Sequence, residues 1–342
     1  MMESYLEVIG QNVDQIISLE LRDRRPDQGV IGKLYQAARQ KFGAPLAMLA
    51  AQRLTERVGA GDIVFLVTGA GGHMFLPTGE TDGPLGTAAL ARILRYGIGA
   101  IPVILTEEAF VENIRATCIA AGLGIRDLEE ARQVPYTGTV RSFPGDESAA
   151  QVAQDLIGTL QPRAIISIEK LGPNEAGIAH NATGNPVWPY RARVEYLFDL
   201  AAQHDILTIG IGDNGNEIGF GAIREAVWEY KQWGKVCRCP CGKGIATRVG
   251  ADVLVVAGIS NWGAYGIEAC LAAFRDDPDL IHSPDAERWM LLECVRTGAA
   301  DGGTGRHEPG VDGTSGAIQP YVVELLRAVV AQGIAPPRQR GW

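Results

Sequence analysis

The chain has 342 residues, with 31 Lys and Arg against 40 Asp and Glu, a net charge of −9, and 46% apolar and 21% charged residues. These proportions exclude a disordered chain, and the acidic balance argues against a nucleic-acid partner, whose phosphates call for a basic patch. The longest apolar stretches, such as 253–259, are short and glycine-broken, far below the roughly 18 residues that span a bilayer.

Residues 1–58 read as a helical segment packed on the main domain. Leu6, Ile9, Val13, Ile16, Ile17 and Leu21 recur mostly at three- and four-residue spacings, one face of an amphipathic helix. A second helical run is expected over 32–57. The start, MMESYLEVIG, has neither a basic n-region nor an apolar h-region, so no secretory signal is read there.

From residue 59 to 335 the pattern becomes that of one α/β domain. Apolar β-rich runs at 63–68, 101–105, 134–140, 164–168, 206–211 and 253–257 alternate with helical stretches near 84–97, 107–121, 147–159, 190–203, 219–232 and 264–275. Two more helices are expected near 284–298 and 317–332. Continuous apolar strands separated by helices predict a mostly parallel sheet buried on both faces, a doubly wound, Rossmann-like layer. Ligands of such sheets bind beyond the carboxyl ends of the strands, so the segments that follow the strands are where chemistry is expected.

The chain has 43 glycines, nearly twice the usual share of roughly 7%. They cluster in those same segments. After the first strand, Gly69-Ala-Gly71-Gly72-His73 leads to Gly79-Glu80-Thr-Asp82-Gly-Pro84. Met74 breaks a dinucleotide fingerprint and no GK[ST] follows, so no nucleotide is expected. Asp82 before Gly-Pro suits a helix start. Glu80 and Asp82, two residues apart in a loop, also suit a divalent cation. After the fourth strand, Glu169 ends an apolar run, where a carboxylate needs a partner or a task. His180 and Asn181 follow in a polar loop.

After the fifth strand comes Gly210-Ile-Gly212-Asp213-Asn-Gly-Asn216-Glu217-Ile-Gly219. It fits GxGxxG, yet Asp213 and Glu217 would repel a pyrophosphate. A hard cation or an ammonium group suits the loop better. After the sixth strand, Ser260 and Asn261 could cap a helix or hold a substrate carboxylate. Trp262 is expected at a loop tip, as a pocket wall.

Six cysteines without an export signal suit a reducing cytosol, and a cytoplasmic location is expected. Cys237-Arg-Cys239-Pro-Cys241-Gly lacks the paired spacing of a zinc site and has no fourth ligand nearby in sequence. Its thiols are expected to be small structural side chains sharing one face of a strand, with a metal site as the lesser alternative and no disulfide among them. There is no GxSxG elbow and no histidine in a triad context.

The segments SIEKLGP (167–173), GIGDNGNEIGFG (210–221), AGISNWGAYG (257–266) and GETDGPLG (79–86) resemble the D-glutamate cyclase C-terminal domain family, over about residues 60–330. The resemblance implies a lyase that dehydrates D-glutamate to 5-oxo-D-proline. Its implied catalytic carboxylates are Glu169, Asp213 and Glu217. The expected substrate-binding set joins the family-matched Asn216, Ser260 and Asn261 to Gly71, Gly72 and Trp262, read from the loops themselves. Independently of the resemblance, Glu80, Asp82 and Asp213 are read as candidate ligands of a divalent cation, Mn²⁺ or Mg²⁺, which would neutralise the reacting carboxylate. The CRCPCG segment departs from the family's mammalian members. The partner expected is a small amino acid, with no nucleic acid or membrane, and a homo-oligomer is compatible with it. A small-acid binding protein without turnover, or a metal-dependent hydrolase of a phosphate or lactam, would use the same loops.

Overall fold

The computed structural model describes residues 4–21, 27–71, 76–187 and 191–335. Three helices come first: α1 (Ser4–Ile17), α2 (Val30–Phe42) and α3 (Leu46–Arg57). The expected run over 32–57 is two helices, because Gly43 closes α2 at φ 75° and Pro45 stands before α3. Proline cannot continue a helix, and glycine takes a left-handed cap without strain.

The alternating part then runs β1 (Ile63–Thr68), α4 (Asp82–Ile93), β2 (Ile101–Thr106), α5 (Val111–Ala120), β3 (Gly124–Ile125), α6 (Leu128–Gln133), β4 (Thr137–Ser142), α7 (Ala149–Leu160) and β5 (Ala164–Ile168). It continues with α8 (Glu195–Ala201), β6 (Leu207–Gly212), α9 (Arg224–Tyr230), β7 (Val253–Val256), α10 (Ser260–Phe274), α11 (Pro284–Arg296), the hairpin strands β8 (Gly310–Val311) and β9 (Thr314–Ser315), and α12 (Gln319–Ile334). None of these helices is long and apolar enough to cross a membrane.

The central sheet has seven strands in the order β3-β4-β2-β1-β5-β6-β7, and every pair is parallel. The doubly wound α/β fold is therefore present. Within β1, alternate side chains enter opposite cores. Val64 and Leu66 join one with α1–α4, α10 and α12, while Phe65 and Val67 join the other with α7 and α8. Both faces are covered, which is why the strands read as unbroken apolar runs. Val13, Ile17, Leu34 and Leu54 lie in the first core together with strand residues, so the N-terminal helices form one layer of the molecule.

Among the boundaries that differ from expectation, two matter here. The run over 134–140 holds the C-cap of α6, Val134, and a strand that starts only at Thr137. Tyr136 between them sits at φ 59°, which a continuous strand does not tolerate. The helix after β7 starts at Ser260 rather than near 264, which takes Trp262 out of a loop.

Candidate active site

Strand order reverses beside β1: the chain moves from β1 to β2 on one side, and later places β5 on the other. In the register of that pair, Thr68 lies beside Ile168. The loops leaving these two strands diverge, and this is the switch point at which doubly wound sheets bind ligands. A cleft of about 880 Å³ opens there, lined among others by Gly71, Glu80, Glu169, Asn181, Asn216, Arg238 and Asp312.

Its floor is acidic. Glu169 follows β5 directly, buried, with a left-handed φ of 49°. Such a backbone state in a non-glycine residue is held by its surroundings and aims the side chain. The Glu169 amide donates to the Ile211 carbonyl at 3.2 Å, and the Ser260 hydroxyl, in the first turn of α10, donates to Glu169 Oε2. Oxygens of Glu169, Asp213 and Glu217 lie within 4.8 Å of one another, and so do oxygens of Asp82, Asp213 and Asp312. All five residues are buried. Asp213 belongs to both groups and joins them.

Close packing of like charges has an electrostatic consequence. Burial first, then Asp82, Glu217, Asp213 and Glu80 in that order, push the Glu169 carboxyl well above its ordinary range. Glu217 is pushed up to about 7, first by burial and then by Asp213. Its oxygens accept from the amides of Asn214 at 2.9 Å, Gly215 at 2.8 Å and Asp213 at 3.3 Å. Glu217 thus ties down the loop that carries Asp213. Gly212 leaves room for this: a Cβ there would stand 2.8 Å from the Glu217 side chain.

An all-oxygen set of buried carboxylates is the donor chemistry of a hard divalent cation. Two trios offer such a set, Asp82 with Asp213 and Asp312, and Glu169 with Asp213 and Glu217. Glu80, expected in that role, lies outside both trios and lines the cleft with its Oε2 against Gly302, where any side chain would overlap it. Asp312 was missed in the sequence, although Asp312-Gly313 is a recognisable hairpin turn. Both residues are left-handed, at φ 54° and 80°. Asp301 holds the turn by accepting from the Gly313 amide at 2.9 Å.

The expected substrate-binding residues divide. Gly71, at φ 123°, and Asn216 line the cleft. Asn216 Nδ2 donates to the His180 carbonyl at 2.8 Å. Ser260 contacts Glu169, as above. Asn261 and Trp262 are not among the residues that line the cleft. Both are fully buried in the first turn of α10 and donate to Gln319 Oε1, at 3.0 and 2.8 Å. Trp262 is core, because the helix begins four residues earlier than expected. Gly72 lies outside the described residues.

The thiols of Cys237, Cys239 and Cys241 are free, as expected. They are not on a strand, however, and Cys239 and Cys241 are only half-buried. Their sulfurs face one another at 3.2–3.6 Å. His180, in the polar loop after β5, is buried beside them.

A family profile described as "D-glutamate cyclase-like, C-terminal" matches residues 22–327 of the chain. The human mitochondrial D-glutamate cyclase is 31% identical over 217 residues, which cover 61% of this chain and 32% of that protein. The match thus spans about a third of the relative's length. Among solved structures, a serine palmitoyltransferase from S. paucimobilis with a bound PLP–myriocin aldimine aligns at 10% identity over 85% of this chain and 62% of that one. Its TM-score of 0.21 establishes no shared fold. The profile covers the acidic cleft and every loop that builds it, and this chain belongs to the D-glutamate cyclase-like, C-terminal family.

Proposed function

We propose that the chain catalyses the intramolecular dehydration of D-glutamate to 5-oxo-D-proline, as a lyase. The observation that carries this reading is the buried carboxylate cluster at the switch point, open to a cleft and built by residues inside the family match.

Ring closure joins the α-nitrogen to the side-chain carboxyl carbon and expels one carboxyl oxygen as water. The α-ammonium must first lose a proton, and a negative cleft floor attracts that ammonium. Glu169 is the base: it lines the cleft that would receive the ammonium, and burial among carboxylates strengthens its hold on a proton. Ser260 orients it. Glu169 then passes the proton it has taken to the departing oxygen, and Asp213 stands next to it on the neighbouring strand end. Glu217 acts by holding the Asp213 loop in place. Arg238 stacks on Trp233 with its guanidinium carbon 4.4 Å from the ring centroid at the cleft wall, and there it would hold the α-carboxylate. Asp82, Asp213 and Asp312 would hold a divalent cation, Mn²⁺ or Mg²⁺, which supplies Lewis-acid stabilisation of negative charge on the reacting carboxyl group.

Incubation with D- and L-glutamate, with and without Mn²⁺ or Mg²⁺, followed by chiral detection of 5-oxoproline, tests the reading. The expected result is 5-oxo-D-proline from the D-enantiomer only. Absence of product from either enantiomer with either cation would sink it.

A further inference from the structure

Some 60 residues after the loop of His180, three cysteines return to the same place. His180 Nε2 stands 3.2 Å from Cys239 Sγ and 3.8 Å from Cys241 Sγ. Cys237 and Cys241 sulfurs are 3.3 Å apart, Cys239 and Cys241 3.2 Å, Cys237 and Cys239 3.6 Å. All four ligand atoms fall within 4.8 Å of one another. The sulfurs are too far apart for bonding, since a disulfide needs about 2.05 Å. They are close to the separation of about 3.7 Å that two sulfurs keep in a tetrahedron around zinc, with Zn–S near 2.3 Å.

The surroundings independently point to a ligand. His180 Nδ1 lies 3.1 Å from the Ile178 carbonyl, which can only accept. Nδ1 therefore carries the proton, and the Nε2 lone pair faces the three sulfurs. This is the orientation that a supporting hydrogen bond imposes on a metal-binding histidine. Asn174 Nδ2 donates both to the Gly244 carbonyl at 2.8 Å and toward Cys241 Sγ at 3.5 Å, which suits a thiolate. Thiols alone gain little from this packing, because S–H is a weak donor and sulfur a weak acceptor.

We propose that His180, Cys237, Cys239 and Cys241 form a structural zinc site, separate from the acidic cleft floor. Four protein ligands close the coordination shell, as in structural rather than catalytic zinc sites. Soft sulfur and imidazole donors select zinc over Mg²⁺ or Mn²⁺, while the carboxylate cluster has the opposite preference. The site clips the loop after β5 to the 233–247 segment. Those two segments supply opposite parts of one cleft wall, Asn181 and Asn185 on one, Trp233 and Arg238 on the other. They are also joined by the Arg238 amide, which donates to the Gly184 carbonyl at 2.9 Å. The zinc therefore sets where Arg238 stands without touching the substrate.

The test uses the full chain, refolded or expressed with zinc under reducing conditions and freed of loosely bound metal. Elemental analysis is expected to give one zinc per chain. The Cys239→Ser/Cys241→Ser variant should hold none, whereas Asp213→Asn should keep its zinc. Cobalt in place of zinc should give thiolate-to-cobalt charge-transfer absorption, a readout on wild-type protein that stands even if the cysteine variant fails to fold. Zinc content well below one per chain, retention of zinc by the double cysteine variant, iron with inorganic sulfide, or a cobalt spectrum without thiolate bands would each overturn the proposal.

Discussion

Glu169 and Lys170 are neighbours at the end of β5, both buried, and their fates are opposite. Lys170 Nζ pairs with Glu107, whose Oε1 also accepts the Ala192 amide at 2.9 Å. Burial lowers the Lys170 pKa, and the Glu107 carboxylate works against that. Glu169 faces carboxylates instead. A third buried group behaves like Lys170. His282 sits between Glu268 at 2.6 Å and Glu287 at 3.2 Å. Burial alone would depress its pKa, but the two carboxylates outweigh it and raise it to about 9. Buried charges with a counter-charge hold the fold together, and leaving one of them unpaired is expensive. Buried charges gathered with their own kind weaken the fold and make sense only for a ligand that supplies the opposite charge.

The largest expected effect that would break this contrast is on turnover. Glu169→Gln keeps the shape and can still accept from Ser260, yet it removes the base. Turnover should fall by roughly 10²–10⁴. The melting temperature should hold or rise, since a repelled charge is gone. A variant that melts lower and turns over at the wild-type rate would place Glu169 among the structural groups.

Lys170→Met should do the reverse. It strands Glu107 in the interior and should cost about 3–5 kcal/mol in a denaturant melt. Adding Glu107→Gln should recover much of the loss. An unchanged stability in Lys170→Met would remove the paired half of the comparison.

The two regions should also separate by pH. Raised carboxylate pKa values mean that the folded state binds protons more tightly than the unfolded one, so the cluster destabilises once the unfolded carboxylates ionise. For Glu217 this loss begins near the ordinary value of 4.5 and is complete above about 7. Melting temperatures in chelator should therefore fall across that window, and Mn²⁺ or Mg²⁺ should flatten the fall. A flat profile in chelator would argue against the repulsion. His282 has the same sign of linkage from the opposite cause, since neighbouring carboxylates stabilise its proton as a counter-charge. Its contribution is fully present below about 6.5 and is lost as pH rises through about 9. The smallest effect expected is thus a decline in melting temperature between those values, unaffected by divalent cation and absent in His282→Gln.

Much of this was legible along the chain. Apolar runs buried on both faces announced the parallel sheet, and acidic residues after the strands marked the cleft end, including Glu169 and Asp213. Local contrast in hydrophobicity decides both, because a strand covered on both faces admits few polar residues except where it ends. The errors were equally local. A helix start misjudged by four residues turned Trp262 from core into pocket wall, and a two-residue strand, β3, offered too short an apolar run to register.

What the sequence by itself determined, then, was the layered architecture and the strand ends at which chemistry could sit. Only the tertiary structure decided which charges meet. Asp312 reaches Asp82 and Asp213 from a hairpin near the end of the chain, His180 completes a set of cysteines some 60 residues on, and Glu107 rather than any neighbour of Glu169 takes Lys170. The reason is physical. Periodicity reports whether a side chain faces core or solvent. A pKa, a donor set or an ion pair depends on distances of a few ångströms between loops, and those are set by how strand order brings separate crossovers together.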